Sequence, residues 1–226
     1  MEKEMTDTII FDLDGTLLDT LEDLTDSVNY AMEQFHLRTR TIEEVRGFVG
    51  NGVAKLIERC IPQGTQNPLY EQILASFKEH YALHCEDKTR PYEGIMELLA
   101  KLSEQGYHMA IVSNKFDGAV KQLNEKYFKD YISVAIGESA AVKKKPAPDT
   151  VYQALLELAC DASQAVYVGD SEVDRQTAGN VPMPCVSVTW GFRTRQQLME
   201  AGAADAYMIK SPQELLPLLR HFPPEA

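Results

Sequence analysis

The sequence predicts a doubly wound α/β fold, a parallel sheet with helices on both faces, interrupted by an inserted all-helical segment. Three observations lead there. Short, mostly unbroken apolar runs recur along the chain, as strands covered on both faces require. Amphipathic helical patterns alternate with the later runs, the beat of a parallel sheet with right-handed crossovers. The first interval breaks that beat: about seventy residues of purely helical pattern separate the first run from the second, more than one crossover needs.

Residues 8–11 form a short β-branched apolar run closed by Asp12-Leu13-Asp14-Gly15-Thr16. The run is too short for a helix and ends in a turn-forming glycine, so it reads as a strand. Helical patterns follow at 21–35, 42–48, 53–60 and 69–83. They are assigned to an inserted helical domain, residues 19–88, with hinge loops around Asp19 and around residues 88–91. The segments 1–18 and 89–226 make the Rossmann-like core. Its helices are read at 94–104, where Ile95, Leu98, Leu99 and Leu102 fall at helical spacing, and at 118–126, 148–158 and 196–201. Its further strands are read at 107–112, 132–136, 165–168 and 184–188, with a weaker one at 206–209. There is no internal repeat, and the tail 222–226 reads as a frayed end.

The 226 residues carry 22 Lys plus Arg against 34 Asp plus Glu, a formal net charge of −12, with no basic run beyond residues 143–145. That leaves no electrostatic footprint for nucleic acid or an anionic membrane. At 44% hydrophobic and 25% charged, the composition is that of a soluble globular chain. Cys60, Cys85, Cys160 and Cys185 lie far apart without a CxxC pair, and the chain opens MEKEMTD, acidic where a signal peptide would be basic. The expectation is a cytoplasmic, reducing setting with free thiols, as a monomer or homodimer. No apolar stretch approaches the roughly 20 residues of a membrane helix.

Ligands of open α/β sheets bind beyond the carboxyl ends of the strands. At those ends stand Asp12 and Asp14, then Ser113 and Asn114, then Lys145, then Asp170 with Asp174 four residues on. Any one of these aspartates is as well explained as a helix N-cap or turn former. The argument is their coincidence at successive strand ends. Carboxylates at close range raise one another's pKa unless a hard cation sits among them, and Mg²⁺ suits few carboxylates plus phosphate oxygens. A lysine, a hydroxyl and backbone N–H groups complete a site for phosphoryl transfer, which is catalysed by positioning and charge compensation. There is no GxxxxGK[ST], HExxH or GxSxG, so any nucleophile is a carboxylate. A calcium loop is disfavoured because Thr16 and Leu17 stand where further ligands belong.

Phe11-Asp12-Leu13-Asp14-Gly15-Thr16-Leu17-Leu18-Asp19, Val112-Ser113-Asn114, Lys145-Pro146-Ala147-Pro148 and Val168-Gly169-Asp170-Ser171 with Asp174 together resemble the four ordered motifs of the haloacid dehalogenase superfamily. The resemblance spans nearly the whole chain, and the helical insertion resembles the family's small helical cap. It implies Asp12 as nucleophile forming an aspartyl-phosphate, Asp14 as general acid and then base, and Lys145 as the neutralising cation. It implies phosphoryl binding by Ser113, the Asn114 N–H and the backbone around Gly15 and Thr16. Mg²⁺ would be held by Asp12, the Asp14 carbonyl and Asp170, with Asp174 behind them. Choosing Lys145 over Lys143 or Lys144 rests on its place before Pro146.

Within the superfamily, the stretches 46–53, 90–94, 190–192, 201–205 and 211–215 resemble the phosphoglycolate phosphatase type. Gly50-Asn51-Gly52 opens a helix whose free N–H groups suit a substrate carboxylate, with Arg46 and Lys55 as weaker candidates; an ordinary glycine-rich helix start explains the stretch equally well. The expected reaction is Mg²⁺-dependent hydrolysis of a small phosphorylated metabolite. A β-phosphoglucomutase type would carry Arg in the Gly50-Asn51 region and Glu before Asp170, and neither is present. A nucleotide or pyrophosphate phosphatase stays open. A phosphoacceptor signalling domain, from another class, needs neither the helical insertion nor a second acid two residues after the first. His80 and His84 have metal-ligand spacing but no third ligand, and Trp190 is read as packing.

Overall fold

The computed structural model describes residues 6–220, so the frayed end expected at 222–226 lies outside the described residues. Strand β1 (Thr8–Phe11) is central, paired in parallel with β4 (His108–Phe116) on one side and β6 (Ala165–Gly169) on the other. β5 (Val134–Glu138) extends the sheet beyond β4, and β7 (Cys185–Val188) and β8 (Met208–Ile209) extend it beyond β6, all in parallel. The resulting order, β5-β4-β1-β6-β7-β8, is doubly wound, and its direction reverses where β1 meets β6.

Alternation along the strands explains the unbroken apolar runs. Ile9 and Phe11 pack with Leu99 and Leu102 of α5 (Ile95–Glu104) and with Val120 and Leu123 of α6 (Asp117–Tyr127). Ile10 points the other way, toward Val151 and Leu155 of α7 (Asp149–Leu158) and Ala178 of α8 (Glu172–Asn180). Side chains of both parities are buried because helices cover both faces.

Between β1 and β4 the chain forms α1 (Leu21–Gln34), α2 (Ile42–Phe48), α3 (Val53–Cys60) and α4 (Tyr70–His84), which share an apolar cluster of their own around Val28, Leu56, Phe77 and Tyr81. The segments expected to be loops at each end of this insertion instead pair as a short antiparallel ribbon, β2 (Leu18–Asp19) with β3 (Arg90–Pro91). Asp23, buried in the first turn of α1, fastens the ribbon: its carboxylate accepts the N–H of Lys88 at 3.0 Å and of Thr89 at 2.8 Å.

Three elements differ further from expectation. β4 runs on to Phe116 through a register shift after Val112, so Ser113 and Asn114 lie within an irregular strand extension rather than beyond its end. Helix α8 has no apolar period, offering little beyond Val173 and Ala178 to bury, and its capping box uses Asp174 where Glu or Gln is usual. The weak strand at 206–209 shrinks to β8 after a 3₁₀ turn at Asp205–Tyr207. Among the described residues no helix is long and apolar enough to cross a membrane.

Candidate active site

The switch between β1 and β6 carries Asp12 and Asp170 on neighbouring strand ends, and Asp174 rises from the first turn of α8 beside them. One carboxylate oxygen from each of the three lies within 4.8 Å of the others, and all three residues are buried. Lys145 Nζ reaches into this group, 2.7 Å from Asp12 Oδ1 and 2.8 Å from Asp174 Oδ1, with the Tyr167 hydroxyl at 3.0 Å. Burial disfavours its ammonium form, but Asp12 and Asp174 outweigh that and hold its pKa above the ordinary lysine value. Burial and the charge of Asp174 push Asp12 well above the usual carboxylate range and Asp170 up to about 7.

The three acids are not equivalent. Asp174 is saturated: Oδ1 accepts from Lys145 and Tyr167, while Oδ2 accepts from the Ser171 N–H and hydroxyl. Asp170 Oδ2 accepts the Phe192 N–H at 2.6 Å. Among the described residues no hydrogen bond reaches Asp12 Oδ2 or Asp170 Oδ1, so two hard oxygens are left over in a crowded anionic cluster. That donor set suits a small divalent cation held by Asp12 and Asp170, with Asp174 spent on orientation. Space here is made by glycines. A Cβ on Gly15, whose φ is +84°, would stand 2.4 Å from Asp170 Oδ2, and one on Gly191 would stand 2.3 Å from the Gly15 carbonyl.

Asp14 is held differently. Its Oδ1 accepts from the Thr20 hydroxyl at 2.7 Å and from Lys115 Nζ at 3.0 Å, and its side chain keeps 21% of its surface exposed. Ser113 Oγ accepts the Lys115 N–H at 3.2 Å, which leaves the hydroxyl hydrogen free to donate. Asn114 bridges: its Nδ2 donates to the carbonyls of Lys145 and Gly50, tying the lysine loop to the helical insertion. Thr16 is buried and among the described residues its hydroxyl finds no partner, while its carbonyl accepts from Trp190 Nε1.

Asp12, Asp14, Ser113, Asn114, Lys145 and Asp170 line one cavity of about 60 Å³, together with Gly50, Gly52, Val53 and Leu56 of the insertion. Gly15 and Thr16 are not among the cavity's lining residues. Asn51 is not among them either, and its Oδ1 accepts from Arg59 at 2.9 Å. Lys55 pairs with Glu58, and Arg46 with Glu43. His80 stacks between Tyr30 and His84, away from the acids.

Residues that sequence reasoning passed over complete the walls. Lys115 is buried at the cavity between Asp14 and the Tyr81 hydroxyl, 2.6 Å away. It follows Ser113 by two residues in the irregular extension of β4, beyond where the sequence ends the strand. Phe192 and Arg193, from the loop after β7, reach the insertion: the ring joins its apolar cluster, and the guanidinium donates to the Val49 and Arg46 carbonyls while pairing with Glu172. No local pattern marks Arg193, and Phe192 enters the sequence reading only within the stretch 190–192.

The sequence matches the haloacid dehalogenase-like hydrolase family over residues 9–188. A phosphoglycolate phosphatase of Mesorhizobium japonicum is 33% identical over 192 residues, covering 83% of this chain and 84% of that one. Another, from Pseudomonas savastanoi pv. phaseolicola, is 32% identical over 215 residues, covering 92% and 78%. A crystal structure from Lactobacillus delbrueckii subsp. bulgaricus superposes with a TM-score of 0.91 at 34% identity, covering 95% and 98%. CbbY of Rhodobacter sphaeroides, solved in complex with phosphate, gives 0.78 at 26% identity, covering 96% and 100%. The chain belongs to the haloacid dehalogenase-like hydrolases and is a phosphatase of that family.

Proposed function

We propose that the chain hydrolyses a small carboxylated phosphomonoester of the 2-phosphoglycolate kind, with Mg²⁺ as cofactor and Asp12 as nucleophile. The observation that carries this reading is the meeting of Asp12, Asp170, Asp174 and Lys145 in one buried cluster at the sheet's switch point. The leftover oxygens of Asp12 and Asp170, with the Asp14 carbonyl, would hold the ion. When bound, Mg²⁺ would neutralise carboxylate and phosphoryl charge so that the two anions can meet.

The protein's own groups carry the steps. Lys145 fixes Asp12 Oδ1 and balances its charge. The Ser113 hydroxyl and the Asn114 N–H bind the phosphoryl oxygens and compensate charge developing on them. The Asp12 carboxylate attacks phosphorus, the bond from phosphorus to the alcohol oxygen breaks, and Asp14 gives that oxygen its proton. Asp14 then takes a proton from water as the water attacks the phosphorus of the aspartyl-phosphate, releasing inorganic phosphate and restoring Asp12. Residues 19–88 act as a cap over the cavity, turning on the β2–β3 ribbon and excluding water during transfer.

Size supports the substrate class. A cavity of about 60 Å³ favours a compact phosphomonoester over a nucleotide or a sugar bisphosphate. The matched phosphoglycolate phosphatases point the same way. A panel of 2-phosphoglycolate, sugar phosphates, a sugar bisphosphate, nucleotides and pyrophosphate at saturating Mg²⁺ tests it. The highest kcat/KM is expected on 2-phosphoglycolate, and a maximum on nucleotides or sugar phosphates contradicts the assignment.

A further inference from the structure

Three cations line the cavity, and their surroundings divide the labour. Lys145 Nζ has more acceptors than hydrogens, with Asp12, Asp174, Tyr167 and the Val112 carbonyl around it. Arg193 is tied to both carboxylate oxygens of Glu172 and to two main-chain carbonyls. Lys115 has three hydrogens and two described acceptors, Asp14 Oδ1 and the Tyr81 hydroxyl. It is 4% exposed, its Nζ lies 4.6 Å from the centre of the Tyr81 ring, and it lines the cavity. A buried ammonium with a hydrogen to spare, lining a cavity whose wall also carries Leu24, Val53 and Leu56, is a receptor for an anion.

Its position says which anion. Lys145 touches the residue that attacks phosphorus, whereas Lys115 touches Asp14, the residue that protonates the departing alcohol. Lys115 therefore sits on the leaving-group side of the cavity, beside the carbon atoms the alcohol oxygen carries. We infer that Lys115 is the specificity residue that binds the carboxylate of the substrate's leaving group. The inference rests on the carboxylated-phosphomonoester reading above and names the residue that enforces it. A carboxylate one carbon from the ester oxygen is favoured over a neutral group because the ammonium hydrogen is otherwise buried without an acceptor.

The test compares kcat/KM on 2-phosphoglycolate with kcat/KM on ethyl phosphate, which keeps the two-carbon chain and lacks the carboxylate oxygens. Lys115→Met is expected to slow both, since it also releases Asp14, but to lower the ratio of the two by about tenfold to a hundredfold. The loss on 2-phosphoglycolate should fall chiefly in KM. Tyr81→Phe keeps the ammonium and should leave the ratio within about threefold of wild type. A wild-type preference that survives Lys115→Met refutes the role of Lys115 alone. A collapse of the ratio in Tyr81→Phe equal to that in Lys115→Met refutes it too, because the charge would still be present. A wild-type enzyme that turns over both substrates equally refutes the carboxylate reading itself.

Discussion

Gly191 is the residue on which the acid cluster most directly leans. A Cβ there would stand 2.4 Å from Asp170 Cβ and 2.5 Å from its Oδ2, besides pressing on the Gly15 carbonyl. Gly191→Ala is therefore expected to displace Asp170, lowering kcat/KM by at least about tenfold and weakening Mg²⁺ dependence, while the fold persists because the strain is local. Titration of activity against Mg²⁺ reads it directly, and an unchanged half-saturation point would show that Asp170 is free to move. Cys60 offers a test of a different kind. Burial pushes its thiol from 9.0 up to about 12, against the pull of Arg40. The folded protein should therefore resist alkylation at Cys60 near pH 8 and become labelled only on unfolding. Since the folded-state value is the raised one, the thiol's contribution to stability is intact below pH 9 and declines as pH rises toward 12.

At the scale of elements, what the sequence made legible depended on whether burial followed a period. β1, α2 and α3 were read to the residue, because β-branched runs and helical spacing coincide there with clear ends. α8 escaped because its first turn serves the site: Asp174 and Ser171 spend their polar groups on the capping box and on Lys145, leaving few apolar side chains to mark a period. The β2–β3 ribbon escaped because two residues on each side carry no alternation, and its partner lies across the whole insertion. Asp23 is what makes that ribbon definite. Asp23→Ala would strand the Lys88 and Thr89 N–H groups, and a loss of about 1–3 kcal/mol is expected in urea unfolding. A change below about 0.5 kcal/mol would mean that the ribbon holds without it.

For the molecule as a whole, a net charge of −12 and a phosphorylated substrate look opposed. The structure reconciles them by gathering charge locally. Asp12, Asp14, Asp170 and Asp174 meet Lys145 and Lys115 in one cleft, and the proposed divalent ion would bring the six side chains close to neutrality. Four of those acids and Lys145 were legible because strand ends are addressable from sequence. Lys115 required the irregular extension of β4, and the contribution of Phe192 and Arg193 to the cavity required the packing of the insertion on the loop after β7, a contact between segments remote in sequence. The central claim is that Asp12 takes the phosphoryl group. Acid quenching during turnover of 2-phosphoglycolate, followed by peptide mass mapping, tests it most directly. The account predicts a phosphoryl adduct confined to the peptide carrying Asp12 and absent from Asp12→Asn; turnover without any such adduct, or with Asp12→Asn near normal activity, would contradict it.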